Sequence, residues 1–294
     1  MTDDSTRLTL SAGLASVAVA TVLVGLKFWA LAATGALSIA ASLTDSALDL
    51  MMSLGATAAL IYAARPADDD HAFGHSSAED LAALAQAVFI LVSALVIGWS
   101  ASGRLLGEAP PQLADEGLGM AVMSVSILLT LGLLWWQGRV ARVTGSRVIA
   151  ADRLHYLGDL LPGLGAIVAL WASSRWGLAQ VDSVVALAAA GVMVFGAVHI
   201  GKGAWDALMD RRADPEVIAG IAAIAAGWPG VHGFHDLKTR TAGRRIFVHL
   251  HIELDGDQPL REAHAVGASL RRAILAAYPQ ADVIIHKDVA ATGR

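Results

Sequence analysis

The chain has 294 residues, 55% of them apolar and 16% charged, with a formal charge of -5. This apolar excess excludes an ordinary soluble domain, and the negative balance argues against a nucleic-acid partner. With no cysteine there are no disulfides, thiolate metal sites or cysteine nucleophiles, so any soft-metal chemistry must run through His and Met.

A spanning helix needs about 20 mostly apolar residues. Six windows qualify, at roughly 8–33, 37–63, 79–103, 116–138, 150–173 and 180–202. The start, MTDDSTRLTLSAG, lacks the basic region and small-residue cleavage site of a secretory signal, so the first window is expected to remain as a span. The windows are broken at Thr34-Gly35, Arg65 to His75, Gly107 to Gln112, Arg139 to Arg147 and Ser173 to Gln180. Arg139, Arg142 and Arg147 fill one loop and Arg211 and Arg212 follow the last window, whereas the alternate loops hold mainly Arg104 and Arg175. Positive-inside counting then predicts that both termini are cytoplasmic.

In the second window Asp45 and Asp49 stand in SLTDSALDL, and in the fifth His155 and Asp159 stand in LHYLGDLL. A carboxylate deep in a bilayer costs on the order of 3 kcal/mol or more, so such residues mark ion paths, proton relays or buried ion pairs. The i, i+4 spacing puts each pair on one helix face, and two facing helices could close around one cation. Ion-pair glue would need basic partners, but the only deep base is Lys27, near the far end of its window, where it is expected to snorkel. The acids therefore point to a missing cation. An oxygen and nitrogen donor set with one imidazole suits Zn²⁺ and tolerates Cd²⁺, Fe²⁺ or Mn²⁺. Such ligands bind metal only when deprotonated, which links metal flux to a proton gradient, with His155 as the natural proton carrier. Neither GxxxxGK[ST] nor HExxH is present, leaving a secondary transporter.

The stretch between the second and third windows, DDDHAFGHSSAEDLAAL, places Asp68, His71 and His75 together, as a second metal site or as a solvated polar loop. After residue 205 the charge density is that of a soluble domain, which divides the chain into a six-helix transmembrane part (1–205) and a cytoplasmic part (206–294). A helix is predicted over 214–226, opening on Asp214-Pro215, then strands over 231–240 and 245–254 joined by Thr241-Ala242-Gly243. In RIFVHLHIEL the residues Ile246, Val248, Leu250, Ile252 and Leu254 form the expected core face, while Phe247, His249, His251 and Glu253 alternate with them. A helix over 260–277 and a strand over 281–287 complete αββαβ, a ferredoxin-like order. His199 and His232 read as structural or surface residues, and Met51 and Met52 as packing.

These motifs together resemble the cation diffusion facilitator family over nearly the whole chain, close to its bacterial zinc and iron exporters. The resemblance implies that Asp45, Asp49, His155 and Asp159 form the transport site, histidine at 155 being the zinc and cadmium pattern where manganese-type members carry Asp. It also implies a loop zinc on Asp68, His71 and His75, with residues 1–205 as the transport domain and 206–294 as a metal-binding and dimerisation domain. Through FHDLKTR, VHLHIEL, REAHAVGASLRRAI and DVIIHKDV it implies a binuclear cytoplasmic site of His235, His251, His264, His286 and a bridging Asp288, with His249 outside it. One position departs: the exporters carry a Lys that pairs across the dimer with the Asp matching Asp210, and this chain has Ser77 there. The implied protein is a homodimeric Zn²⁺/H⁺ antiporter of the bacterial inner membrane. It would export divalent metal by alternating access, contact membrane lipid, and bind no nucleic acid. A membrane-anchored zinc sensor is an alternative, but it leaves the intramembrane acids unexplained. An intramembrane hydrolase is another, but four protein ligands leave no open position for a catalytic zinc.

Overall fold

The computed structural model describes the backbone of residues 2–34, 37–106, 117–176 and 181–290, and the side chains of 4–33, 42–106, 122, 124–161 and 183–290. Of the expected breaks, Gly35, 107–112 and 177–180 lie outside the described residues, while 173–176 are helical rather than a break. The chain divides into two compact units, one of Ser5–Trp205 and one of Asp206–Arg294 with Met1–Asp4.

Among the described residues, the first unit is a bundle of six long helices: α1 (Thr2–Thr34), α2 (Leu37–Ala63), α3 (Ser77–Leu105), α4 (Gly117–Thr144), α5 (Arg147–Trp176) and α6 (Val181–Leu208). At ~1.5 Å per residue each exceeds the ~30 Å apolar core of a bilayer. Four are long and apolar enough to cross a membrane over their described residues: Asp4–Ala33, Ser42–Ala63, Ser77–Leu105 and Ser183–Leu208. The first half of α5 is less apolar because it carries Arg147, Asp152, Arg153, His155 and Asp159. Inside the unit small residues such as Ala12, Ala56, Ala83 and Ala204 let the helices approach closely, while Trp99, Leu128, Trp135 and Phe195 face outward as lipid-facing side chains do. The turn between α4 and α5 is tight. Gly145 adopts φ +67° and its amide closes the end of α4 on Ala141, after which the Ser146 hydroxyl accepts the Ile149 amide and starts α5. The register of that start fixes where His155 and Asp159 fall.

The second unit is α7 (Pro215–Ala226), β1 (Gly233–Ala242), β2 (Arg245–Leu254), α8 (Leu260–Ala277) and β3 (Ala281–Val289), the αββαβ order expected. Pro215 opens α7, where its missing N–H costs nothing. β2 is central, antiparallel to β1 and parallel to β3, and α8 makes the crossover that a parallel pair requires. One sheet face buries Val248, Leu250, Ile252 and Val283 against Ile221 of α7 and Leu270 and Ile274 of α8. The other face is not uniformly polar: Phe247, which alternates with the core residues as expected, is buried there with the Arg240 guanidinium 4.1 Å above its ring. The β1–β2 turn is Gly243-Arg244, so β1 runs two residues further than expected and Gly243 takes φ +54°.

Candidate metal centres

Within the helical unit, Asp49 of α2 meets His155 and Asp159 of α5. His155 Nε2 lies 3.1 Å from Asp49 Oδ1 and 3.8 Å from Asp159 Oδ2. One donor atom from each of the three residues falls within 4.8 Å of the others, a spacing that one cation can bridge. His155 is buried between Phe89 and Tyr156, which fix the plane of its ring. Asp45, one turn before Asp49, is exposed and falls outside this group. Lys27, expected to snorkel, instead crosses to α2, its ammonium donating to Ser46 Oγ at 2.7 Å and the Ser42 carbonyl at 3.2 Å. Lys27 thus ties α1 to α2 next to Asp45. A further acid, Asp152, is buried one turn before His155. Its place beside Arg153 at the edge of an apolar window disguises it in the sequence.

The loop between α2 and α3 brings Asp68, His71 and His75 together. The His71 amide donates to Asp68 Oδ1 at 2.7 Å, His71 Nδ1 lies 3.2 Å from the same oxygen, and His75 Nε2 lies 3.2 Å from Oδ2. His75 is buried against Tyr62, and its Nδ1 is 3.1 Å from the Pro66 carbonyl, which orients the ring. The backbone N–H of His71, above all, holds the Asp68 carboxyl below its ordinary pKa of 3.8, so it stays ionised and able to bind a cation.

The third group lies on the open face of the sheet. Strand register aligns His235, His251 and His286 in one row across β1, β2 and β3, and Glu253 and Asp288 in a second row two residues on. A bulge between His235 and Lys238, with Asp236 at φ +49°, changes the β1 register after His235. Asp288 Oδ2 lies 2.8 Å from His251 Nδ1 and 3.4 Å from His235 Nε2, while Oδ1 lies 3.2 Å from His286 Nε2. Its two oxygens thus face different imidazoles, as a carboxylate bridging two metals would. The His251 hydrogen bond chiefly, with the other imidazoles adding to it, lowers the Asp288 pKa from 3.8. His264 is exposed on α8, outside the set of His235, His251 and Asp288. Glu253 is the residue that sequence reasoning missed, with Oε1 3.3 Å from His235 Nδ1. The period of two that places His251 on this face places Glu253 there as well. His249, paired with Lys238, is exposed and apart from the row.

Long apolar helices enclosing an acid–imidazole cluster, followed by a small αββαβ unit, define a multi-pass membrane transporter for cations. The chain belongs to the cation efflux, or cation diffusion facilitator, family: the family's cation efflux transmembrane domain matches residues 13–209 and its cytoplasmic domain matches residues 213–289. The cation-efflux pump FieF of Serratia proteamaculans is 39% identical over 282 residues, covering 96% of this chain and 93% of that protein. FieF of Cronobacter sakazakii is 38% identical, covering 98% and 95%. The metal-bound C-terminal domain of the CzcD transporter from Thermotoga maritima aligns with 27% of this chain and 93% of its own, at 26% identity and a TM-score of 0.25. The relatives are pumps, and the chain is a cation efflux transporter, not an enzyme.

Proposed function

We propose that this protein is a homodimeric antiporter of the bacterial inner membrane that exports a divalent cation, Zn²⁺ first and Cd²⁺, Fe²⁺ or Mn²⁺ as further substrates, in exchange for protons. The observation that carries this reading is the meeting of Asp49, His155 and Asp159 across α2 and α5. Two acids and an imidazole in an apolar bundle are stabilised together by a divalent ion, and a mixed nitrogen and oxygen set favours zinc over magnesium or calcium. Asp45 completes the set as a fourth ligand when α2 brings its preceding turn into reach. All six helices span, with residues 1–205 as the transport domain and both termini cytoplasmic, on the arginine distribution.

Metal enters from the cytoplasm onto these ligands, and the bundle rocks to expose them outward. Protons then take the metal's place on His155 and the carboxylates, because a protonated ligand holds no metal. Residues 206–294 form the cytoplasmic dimerisation domain, in which His235, His251, His286 and Asp288, with His264 contributed from α8, take up structural zinc. Asp68, His71 and His75 bind a further zinc at the loop. With Ser77 in place of lysine, the dimer forgoes the salt bridge of the related exporters, and Asp210 pairs within its own unit to Arg240 at 3.3 Å.

The test is metal uptake into vesicles holding the full-length protein, with Zn²⁺, Cd²⁺, Fe²⁺ and Mn²⁺ compared with and without an imposed pH gradient. Gradient-stimulated zinc movement in the wild type and its loss in Asp49→Ala are expected. Equal zinc movement by the two proteins would remove Asp49 from the transport site, and indifference to the gradient would remove the proton.

A further inference from the structure

Three buried polar residues from three helices meet one turn before His155: Ser16 of α1, Gln137 of α4 and Asp152 of α5, with relative exposures of 0%, 0% and 1%. Ser16 Oγ lies 2.6 Å and Gln137 Nε2 2.8 Å from the same oxygen, Asp152 Oδ2, and Gln137 Nε2 is 3.0 Å from Ser16 Oγ. Ser16 Oγ is also 3.0 Å from the Ala12 carbonyl. Among the described residues, Asp152 Oδ1 and Gln137 Oε1 are buried without any hydrogen-bond partner. The cluster is joined to the metal-facing helices through Tyr156, whose hydroxyl donates to the Ser16 carbonyl at 3.4 Å and lies 2.9 Å from Ser53 Oγ, one turn beyond Asp49 on α2.

Counting protons shows what this arrangement lacks. An ionised Asp152 accepts only, and the donors in reach are one hydroxyl proton and two amide protons. The Ser16 proton can go to Ala12 or to Asp152, not to both. Among the described residues, no basic side chain bonds to the carboxyl. Gln137 comes from α4 and Ser16 from α1, both neutral, while Arg153 packs its guanidinium along Gly138, where a Cβ would lie 3.0 Å from Arg153 Nε. The charged or titratable groups that act on Asp152 through space include His155 and Tyr156 on its own helix and Asp49 on α2. A buried carboxylate with one oxygen unpartnered and no bonded cation is among the costliest groups a bundle can hold. A proton removes the charge and leaves Oδ1 unpartnered as a neutral acceptor, a far smaller cost. The acid Oδ2–H donates to Ser16 Oγ across the 2.6 Å contact, Ser16 donates to Ala12, Gln137 donates to Oδ2, and Oδ1 becomes the carbonyl of a neutral acid.

We propose that Asp152 is a neutral, protonated acid that knots α1, α4 and α5 together and thereby positions His155 and Asp159 for the metal. It is a positioning residue, separate from the ligands. The positioning role rests on the reading of Asp49, His155 and Asp159 as the metal carriers; the protonation of Asp152 does not.

The experiment uses the full-length protein in lipid vesicles, with zinc alone as the transported ion. Asp152→Asn keeps the shape and a donor toward Ser16, with the Gln137 amide turned so that its otherwise unpartnered Oε1 accepts, but it cannot ionise, whereas Asp152→Ala removes the knot. Asp152→Ala is expected to lower zinc transport about 10-fold or more, the usual cost of losing a residue that orients metal ligands, while Asp152→Asn stays within about 3-fold and keeps the wild-type pH profile. An Asn variant as impaired as the Ala variant, a displaced pH profile in the Asn variant, or a fully active Ala variant would each overturn the proposal. Infrared spectroscopy of the metal-free wild type supplies a readout independent of transport: a protonated-carboxyl C=O band at neutral pH that disappears in Asp152→Asn. If no such band is lost, Asp152 is ionised and the proposal fails, even if the Ala variant does not fold. Wild-type vesicles that move no zinc would sink the antiporter reading and with it the positioning role, while the infrared band would still decide the state of Asp152.

Discussion

The acid–imidazole group on α2 and α5 and the one on β1–β3 use the same side chains, yet what holds them differs. In the bundle, Asp49 is brought to His155 and Asp159 only by the packing of separate helices, and polar contacts from α1 and α4 reach the same turns. Sliding α5 against α2 would therefore change the ligand set itself. On the sheet, His235, His251 and His286 are rungs of one hydrogen-bonded ladder, with Asp288 already in contact with all three imidazoles. The backbone positions of that row cannot shift without breaking strand pairing, and its members are half-exposed rather than buried. A site made of movable helices suits a cargo that must be taken up and released. A site made of paired strands suits an ion that stays.

A crossed pair of substitutions gives the largest expected effect. Asp49→Ala should abolish zinc transport in vesicles while leaving the zinc bound by the sheet, counted by titration calorimetry on the full-length protein, unchanged. Asp288→Ala should do the reverse, lowering affinity at the sheet by on the order of 100-fold because it removes the one carboxylate shared by three imidazoles. If Asp288→Ala stopped transport as completely as Asp49→Ala, the division between a cargo site and a resident site would be wrong.

A smaller effect, on selectivity rather than on rate, is expected at position 155. Replacing the imidazole by a carboxylate turns a mixed nitrogen and oxygen set into an all-oxygen one, and oxygen sets suit harder ions. His155→Asp should therefore raise manganese transport relative to zinc by about 10-fold, measured as the ratio of initial rates in a mixed-metal uptake assay. An unchanged ratio would move selectivity away from this cluster.

The parts legible in sequence were those set by local periodicity. The i, i+4 spacing put His155 and Asp159 on one face of α5, and period-two alternation put His251 on the open face of the sheet. What stayed hidden depends on partners far away in the chain. Asp152 is explained only by Gln137 and by Ser16, which is 136 residues distant. The separation of Asp45 from Asp49 depends on how α2 sits against α5, which identical spacing within α2 cannot reveal. Glu253 was within reach of the alternation argument, but a carboxylate on a half-exposed strand face reads as ordinary surface until His235 is seen beside it. The burial of Phe247 was hidden for a related reason: it lies on the face opposite the core, as the alternation places it, and is covered there by Arg240, a contact between strands.

The smallest expected effect separates the resident site from its scaffold through acid. The imidazole contacts hold the folded Asp288 pKa below the ordinary carboxyl value of 3.8, so the ionised form is the one that folding favours. Its contribution is therefore fully present at pH values above 3.8 and is lost as the pH falls through the lower folded value. Asp288→Asn, which cannot ionise, should lack this contribution at every pH. Hydrogen exchange of the β2 and β3 amides, compared between wild type and Asp288→Asn at each pH, cancels the pH dependence of exchange chemistry itself. The metal-free wild type should be better protected near neutral pH, and the two proteins should converge in acid. A difference that persists undiminished in acid would mean that Asp288 supports the sheet by its shape and hydrogen bonds, not by its charge. The carboxylate would then have no electrostatic claim to the two-metal role that its oxygens suggest.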